Sequence, residues 1–257
     1  MGLVNMRLDG KVALVIGGAK NLGKVECMAL AEAGADIAII DIAIPEARET
    51  ANEIRKATKR RVVVLKADVR STPQIDRAVQ KVADKMGSID VMVYNAGNTV
   101  RKKVWDMEDE DWYRVLDVNL TGAFISARAV ARQMIKQKKG GKIINISTMA
   151  AFVGEPDRTA YCSAKGGLNQ LTKALAIDLA PHNIQVNGIC PGVFDTGLVK
   201  ETSVLQPAFH QSLVDRTLYK RRGWPHEIAG ITVFLATPAS DYITGDNILL
   251  DGGMLAH

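Results

Sequence analysis

The sequence is poor in the residues that build metal sites and disulfide frameworks, with three cysteines and four histidines in 257 residues. Cys27, Cys162 and Cys190 are odd in number and far apart, which excludes a disulfide scaffold and the paired spacing of a thiolate zinc site. They read as buried, reduced thiols. His182, His210, His226 and His257 show no ligand spacing, so no metal is expected. Long hydrophobic runs are missing too. No stretch reaches the roughly 18 apolar residues of a membrane helix, and residues 1–10 lack the apolar segment of a secretory signal. A cytoplasmic protein without a membrane partner is the expectation. The net charge is +5, but the basic clusters at 59–61, 101–103, 136–139 and 220–222 are short and scattered. None is interleaved with the aromatic residues of a base-stacking platform, so nucleic acid is not an expected partner.

What is present is a regular alternation. Short apolar runs occur at 12–16, 37–40, 62–65, 89–94, 142–146, 184–189 and 247–250. Segments with helical periodicity lie between them, at 22–33, 46–58, 74–86, 111–137, 160–180 and 226–236. The runs are rich in β-branched residues and mostly lack polar alternation, as parallel strands covered on both faces do. The fold class is therefore α/β: one domain over 1–257, a doubly wound parallel sheet of about seven strands with helices on both faces. Right-handed crossovers place a ligand at the carboxyl ends of such strands. One stretch breaks the pattern. Residues 193–222, between Pro191 and Pro225, have weak periodicity. A connection that long in a compact domain is usually functional, and a substrate lid is expected.

The first run leads into Gly17-Gly18-Ala19-Lys20-Asn21-Leu22-Gly23, which opens a helix. Glycines there permit a tight turn and close approach of backbone to a pyrophosphate, whose charge the helix N-terminus meets. Asn21 occupies a position where glycine is usual, and asparagine is among the few residues that tolerate the left-handed region. The second run ends in Asp41, a carboxylate placed to accept hydrogen bonds from the adenosine ribose. It would repel a 2′-phosphate, which favours NAD over NADP. Lys20 is the contrary signal.

Tyr161 and Lys165 are four residues apart on an expected helix, so their side chains share a face. A tyrosine hydroxyl is a poor base at neutral pH, and a neighbouring ammonium together with an oxidised nicotinamide stabilises its phenolate. Ser147 ends the fifth strand, where a ligand-facing hydroxyl is expected, and can hold a substrate oxygen while Tyr161 takes its proton.

With these residues in this order, the whole chain resembles the short-chain dehydrogenase/reductase family. The glycine turn, Asp68 in Ala67-Asp68-Val69, Asn95-Ala96-Gly97, Asn119 in Asp117-Val118-Asn119-Leu120, Ser147 and Tyr161-Cys162-Ser163-Ala164-Lys165 carry the likeness. So do Asn187-Gly188-Ile189-Cys190-Pro191-Gly192 and Asp251-Gly252-Gly253. The resemblance implies a Rossmann fold with Tyr161 as acid/base, Ser147 orienting substrate, Lys165 on ribose and tyrosine, and Asn119 holding a water in a proton relay. It implies cofactor contacts at Gly17, Asn21, Leu22, Gly23, Asp41, Asp68, Val69, Asn95, Ala96, Gly97, Tyr161, Lys165, Pro191, Gly192, Val193 and Thr196, and a homotetramer built through the helices bearing Asn119 and Tyr161. Ile16 and Tyr94 depart from the family's usual threonine and asparagine, with expected consequences for cofactor affinity and local rigidity.

Within the family, the stretches from Gly97 to Lys103 and from Asp111 to Asn119, with the ending Asp251–Ala256, resemble gluconate 5-dehydrogenases and 2-deoxygluconate 3-dehydrogenases. The expected reaction is NAD-linked interconversion of a secondary alcohol and a ketone on a sugar, sugar acid or polyol. Ser147, Met149, Tyr161 and Arg101 are the expected substrate contacts. Arg101 heads a basic cluster near the mouth of the site, where charge focuses an anionic ligand. Glu155 and Asp157 are further candidates, although loop carboxylates are more often solvated. The sequence leaves two alternatives open: a 3-oxoacyl-(acyl carrier protein) reductase, and a nicotinamide-binding regulatory protein without turnover.

Overall fold

A computed structural model describes residues 4–196 and 207–256. The chain runs through β1 (Val12–Ile16), α1 (Asn21–Glu32), β2 (Asp36–Asp41), α2 (Ile44–Thr58), β3 (Val62–Lys66), α3 (Thr72–Met86) and β4 (Val91–Tyr94). It continues with α4 (Asp109–Leu116), α5 (Gly122–Gln137), β5 (Gly141–Ile146), α6 (Thr159–Leu179), β6 (Ile184–Pro191), α7 (Pro207–Asp215), α8 (Ala229–Ala236) and β7 (Asn247–Leu250). The strands form one seven-stranded sheet in the order β3-β2-β1-β4-β5-β6-β7, every pair parallel. The winding reverses between β1 and β4, the place where an open α/β sheet offers a ligand crevice.

β1 shows why polar alternation is missing. Val12, Leu14 and Ile16 face a core shared with α3, α5 and α6, where Ile75, Val82, Ala123 and Leu168 pack. Ala13 and Val15 face a second core with Leu30 of α1, Ile54 of α2 and Leu235 of α8. Both faces of the strand are covered, and burying each large aliphatic side chain contributes roughly 1.5–3 kcal/mol. The helix ends carry their own signals. Pro73 lies in the first turn of α3, and Gly87, at φ 92°, closes it in the left-handed region.

The periodic stretch 111–137 is not one helix. A π-helical turn at Asp117–Thr121 separates α4 from α5. The expected helix 226–236 likewise begins as a 3-10 turn at Pro225–Ile228 before α8. Among the cysteines, Cys27 and Cys190 are buried and Cys162 is partly exposed; all three are free. Glu26 of α1 is fully buried and has no hydrogen-bond partner among the described residues. Burial pushes its carboxyl up to about 8. Among the described residues no helix is long and apolar enough to cross a membrane.

Candidate active site

The carboxyl ends of the central strands open onto a cleft of about 880 Å³. The residues expected from the sequence to contact cofactor or substrate line this one cleft, apart from Gly23, which packs under Gly17, and Asp157, which pairs with Lys103 outside it.

At one end of the cleft the glycine turn is built for backbone approach. Gly17 has φ 84°, and a Cβ there would fall 2.6 Å from Ala96 N. A Cβ on Gly23 would fall 2.1 Å from Gly17 O. Asn21 adopts φ 51°, so the left-handed turn survives without a glycine. Ile16 does not leave the turn loose. Its carbonyl accepts from Asn95 N and Ala96 N at 2.9 and 3.0 Å, and Asn95 Nδ2 donates to Gly17 O at 2.8 Å. The tie expected of a threonine hydroxyl is supplied by Asn95.

Asp41 caps β2. Its Oδ2 accepts from Ala19 N at 3.0 Å and its Oδ1 from Ala43 N at 2.9 Å, which fixes the carboxylate over the turn. Lys20 is drawn sideways into an ion pair with Glu46 at 2.9 Å. Beyond β3, Arg70 clasps Asp68 at 2.6 Å and holds its carboxyl below the usual range. Arg70 lines the cleft and was not expected from the sequence; a cation two residues after an aspartate in a loop gives no periodic signal.

Another corner of the cleft is assembled from β5, α6 and the π turn. Ser147 follows β5, its N–H donating to Ile189 O at 2.7 Å and its hydroxyl to the Lys165 carbonyl at 3.4 Å. Lys165 is buried, and its Nζ donates to Ile146 O at 2.8 Å. Loss of solvent brings this ammonium down to about 8. Its Nζ is 6.0 Å from the Tyr161 ring centroid. Burial raises the Tyr161 hydroxyl, opposed by the Arg158 cation and by the Thr148 hydroxyl. Within the protein alone, then, burial outweighs the charges that favour phenolate. Behind Ser147, burial pushes the Cys190 thiol up to about 11.

Asn119 sits in the π turn, fully buried. Its Nδ2 donates to Val115 O, Asn98 O and Asn98 Oδ1, each at 2.9 Å. Its Oδ1 is buried without a protein partner among the described residues. A Cβ on Gly97 would lie 2.9 Å from that oxygen and 3.8 Å from Lys165 Nζ, so the missing side chain keeps the space between them open. Tyr94, the other departure from the family pattern, holds this turn from below. Its hydroxyl donates to Val118 O at 2.5 Å. Local rigidity is therefore provided by a different side chain rather than lost.

At the other end, Arg101 alone of the basic trio reaches the cleft wall. Lys102 pairs with Asp111 at 2.5 Å and Lys103 with Asp157 at 2.8 Å. Met149 lines the cleft but packs with Ala150, Leu213 and Met254. Glu155 is not a solvated loop carboxylate; it is buried and ion-paired with Arg158, which lies 4.1 Å above the Tyr161 ring centroid. Arg158 is a second residue absent from the sequence-based expectations.

Of the expected lid, 197–206 lies outside the described residues. The flanks are tied together: Asp195 N donates to Gly223 O at 2.8 Å, and Gly223 N to Val193 O at 2.9 Å. Leu213 of α7 reaches the cleft wall.

Residues 17–255 match the family described as enoyl-(acyl carrier protein) reductase. Over 248 residues the chain is 38% identical to a 5-keto-D-gluconate 5-reductase of Escherichia coli strain K12, covering 96% of each protein. A gluconate 5-dehydrogenase from Burkholderia cenocepacia J2315, solved in complex with NADP and tartrate, superposes with a TM-score of 0.93 at 36% identity over 98% of both chains. An NAD+-bound xylitol dehydrogenase superposes with a TM-score of 0.92 at 34% identity, over 96% of this chain and 99% of that one.

Proposed function

Because the chain belongs to the short-chain dehydrogenase/reductase family of oxidoreductases, we propose that it is an NAD(H)-dependent enzyme interconverting a secondary alcohol and a ketone on a sugar acid or related polyol. The carrying observation is the convergence of Ser147, Tyr161, Lys165 and Asn119 on one wall of a cleft whose other end is the Gly17 turn and Asp41. The sugar-acid reading is supported by the gluconate-type relatives.

The cradle fits a nicotinamide dinucleotide. Bare backbone at Gly17 leaves room for a diphosphate, and the buried Asn119 Oδ1 faces a space kept open by Gly97. Gly17, Asn21, Leu22, Asp41, Asp68, Val69, Asn95, Ala96 and Gly97 would hold the adenosine and diphosphate side, with Gly23 supporting the turn. Pro191, Gly192, Val193 and Thr196 would hold the nicotinamide side. When bound, the dinucleotide accepts a hydride from the alcohol carbon or returns it to the ketone. Everything else falls to the chain. The Ser147 hydroxyl donates a hydrogen bond to the substrate oxygen and aligns it. Tyr161 takes the hydroxyl proton during oxidation and gives it back during reduction. Lys165 favours the phenolate by its charge, and Asn119 Oδ1 accepts from a water that leads the proton outward.

NAD is preferred in this reading because Asp41 stands where a 2′-phosphate would bring like charge, and Lys20 is engaged by Glu46. The NADP-bound neighbour is the opposing signal. A second reading, reduction of a 3-oxoacyl thioester on an acyl carrier protein, is favoured by the description of the matching family. Exposed Phe124 on α5 and Ile177 on α6 support a homotetramer built through the helices bearing Asn119 and Tyr161. The same reading takes residues 1–257 as a single cytoplasmic domain.

The test is a panel of aldonates, polyols, sugars and 3-oxoacyl thioesters with both nicotinamides, followed at 340 nm. Aldonate turnover with NAD is the expected result; faster turnover of thioesters with NADPH overturns the reading. Tyr161→Phe should abolish turnover while NAD still binds. A biological role that persists in that variant points instead to a regulatory protein.

A further inference from the structure

The corner of the cleft beside Tyr161 is lined by two arginines, Arg101 and Arg158, and by one carboxylate, Glu155. Two short loops carry the residues that matter, and they are fastened to one another. Lys102 N donates to Asp157 O at 3.1 Å, Lys103 pairs with Asp157 at 2.8 Å, and Arg158 Nε donates to Thr99 Oγ1 at 3.4 Å. Arg101 and Arg158 are therefore set in place together.

Arg158 is also fixed from the other side. Its guanidinium is stacked 4.1 Å over the Tyr161 ring and ion-paired to Glu155, whose side chain is 2% exposed. Held only 16% exposed, Arg158 bears a desolvation cost that its ion pair with Glu155 offsets. Glu155 orients the fork, and the guanidinium lies over the face of the phenol. Arg101 adds a second cation at the same wall. Burial first, and then repulsion from Arg158, pull its guanidinium below the usual value, opposed in part by Glu155 and Asp157. An anionic ligand between two such groups relieves that repulsion. Arginine forks match carboxylates two bonds at a time, which fixes orientation as well as affinity.

We propose that Arg158, positioned by Glu155 and assisted by Arg101, anchors the carboxylate of a sugar-acid substrate and so sets which hydroxyl reaches Tyr161. This rests on the sugar-acid reading above and adds the residue that recognises the acid. No periodic signal marked Arg158, because a cation three residues before Tyr161 reads as an ordinary helix start.

The test compares D-gluconate with D-gluconamide, which share a carbon chain and differ by one charge. Steady-state oxidation is measured alongside calorimetric binding of each to the protein preloaded with NADH. The wild-type protein should prefer gluconate. Arg158→Gln should lower that preference roughly 30- to 100-fold, mainly through KM. The double variant Glu155→Gln/Arg158→Gln removes both charges of the buried pair, so it reads the same loss without leaving a lone carboxylate. Arg101→Gln should lower the preference in the same direction. Equal losses for both compounds, with a displaced pH profile, would mean that Arg158 acts through Tyr161 and would overturn the anchor. An unchanged preference overturns it as well. If the wild-type protein uses both compounds equally, the anchor fails while the sugar-acid reading stands. If it neither binds nor turns over either, both fail.

Discussion

The Tyr94 hydroxyl and the Val118 carbonyl meet at 2.5 Å, joining the end of β4 to the turn that carries Asn119. A π turn shifts the backbone ladder and leaves carbonyls to find other donors. Val118 O receives one from Tyr94, and Val115 O receives one from Asn119 itself.

Tyr94→Phe should therefore act on both stability and rate. A buried carbonyl left without its donor costs about 1–3 kcal/mol. Relaxation of the turn should lower kcat by about tenfold by misplacing Asn119. Thermal denaturation and steady-state kinetics read the two effects. A variant with an unchanged kcat would show that Asn119 does not depend on this bond.

The nicotinamide preference should turn on Asp41. Asp41→Ser removes the charge that opposes a 2′-phosphate, and the ratio of kcat/KM for NADP to that for NAD should rise at least about tenfold. Coenzyme kinetics of the two proteins decide the matter. Wild-type protein that already favours NADP contradicts the assignment of Asp41.

In the proposed mechanism, ketone reduction needs Tyr161 protonated and Lys165 charged. Tyr161 is held above its ordinary value by burial, and Lys165 is brought down to about 8. The rate of reduction should accordingly fall as pH rises through about 8, the lower of the two limits. Lys165→Arg keeps its charge at all accessible pH, so any residual activity should lose that limb. The pH dependence of kcat/KM for reduction checks this.

Glu26 predicts a pH dependence of stability. Its carboxyl is raised from 4.5 to about 8 by burial, so the native state holds a proton that the unfolded chain releases at lower pH. Its favourable contribution is complete below about 4.5 and is lost progressively as pH climbs to about 8. Glu26→Gln cannot ionise. The gain in Tm of this variant over wild type should be several degrees larger at pH 8 than at pH 5. A gain independent of pH would show that Glu26 is not protonated in the folded protein.

The sheet was readable because its strands are apolar on both faces and the helices between them are periodic. Val12–Ile16 illustrates this: each of its residues is buried, so no polar phase obscures the run. The π turn was not readable. Residues 111–137 satisfy a helical pattern throughout, and the partner that steadies the break, Tyr94, comes from another element. The glycine turn, Asp41 and Tyr161-x-x-x-Lys165 are local in sequence, so spacing alone singles them out, and all of them but Gly23 and the buried Gly18 and Ala19 line the cleft. Arg158 and Arg70 gain meaning only beside Glu155, the Tyr161 ring and Asp68, and spacing along the chain encodes none of these relations.

The π turn also sets a phase. Each residue advances a helix by about 100°, so one extra residue rotates everything after it by that angle relative to everything before. Val115 of α4 is buried against Ala160 and Ala164 of α6, whereas Ala123, Ala127 and Val130 of α5 are buried against the sheet. The two helices thus address different neighbours from one continuous rod. Deleting a single residue between Asp117 and Thr121 would restore regular helical bonding locally and turn one of these faces toward solvent. The π turn is thus a gear that lets α4 and α5 serve two surfaces, and Asn119 is its tooth.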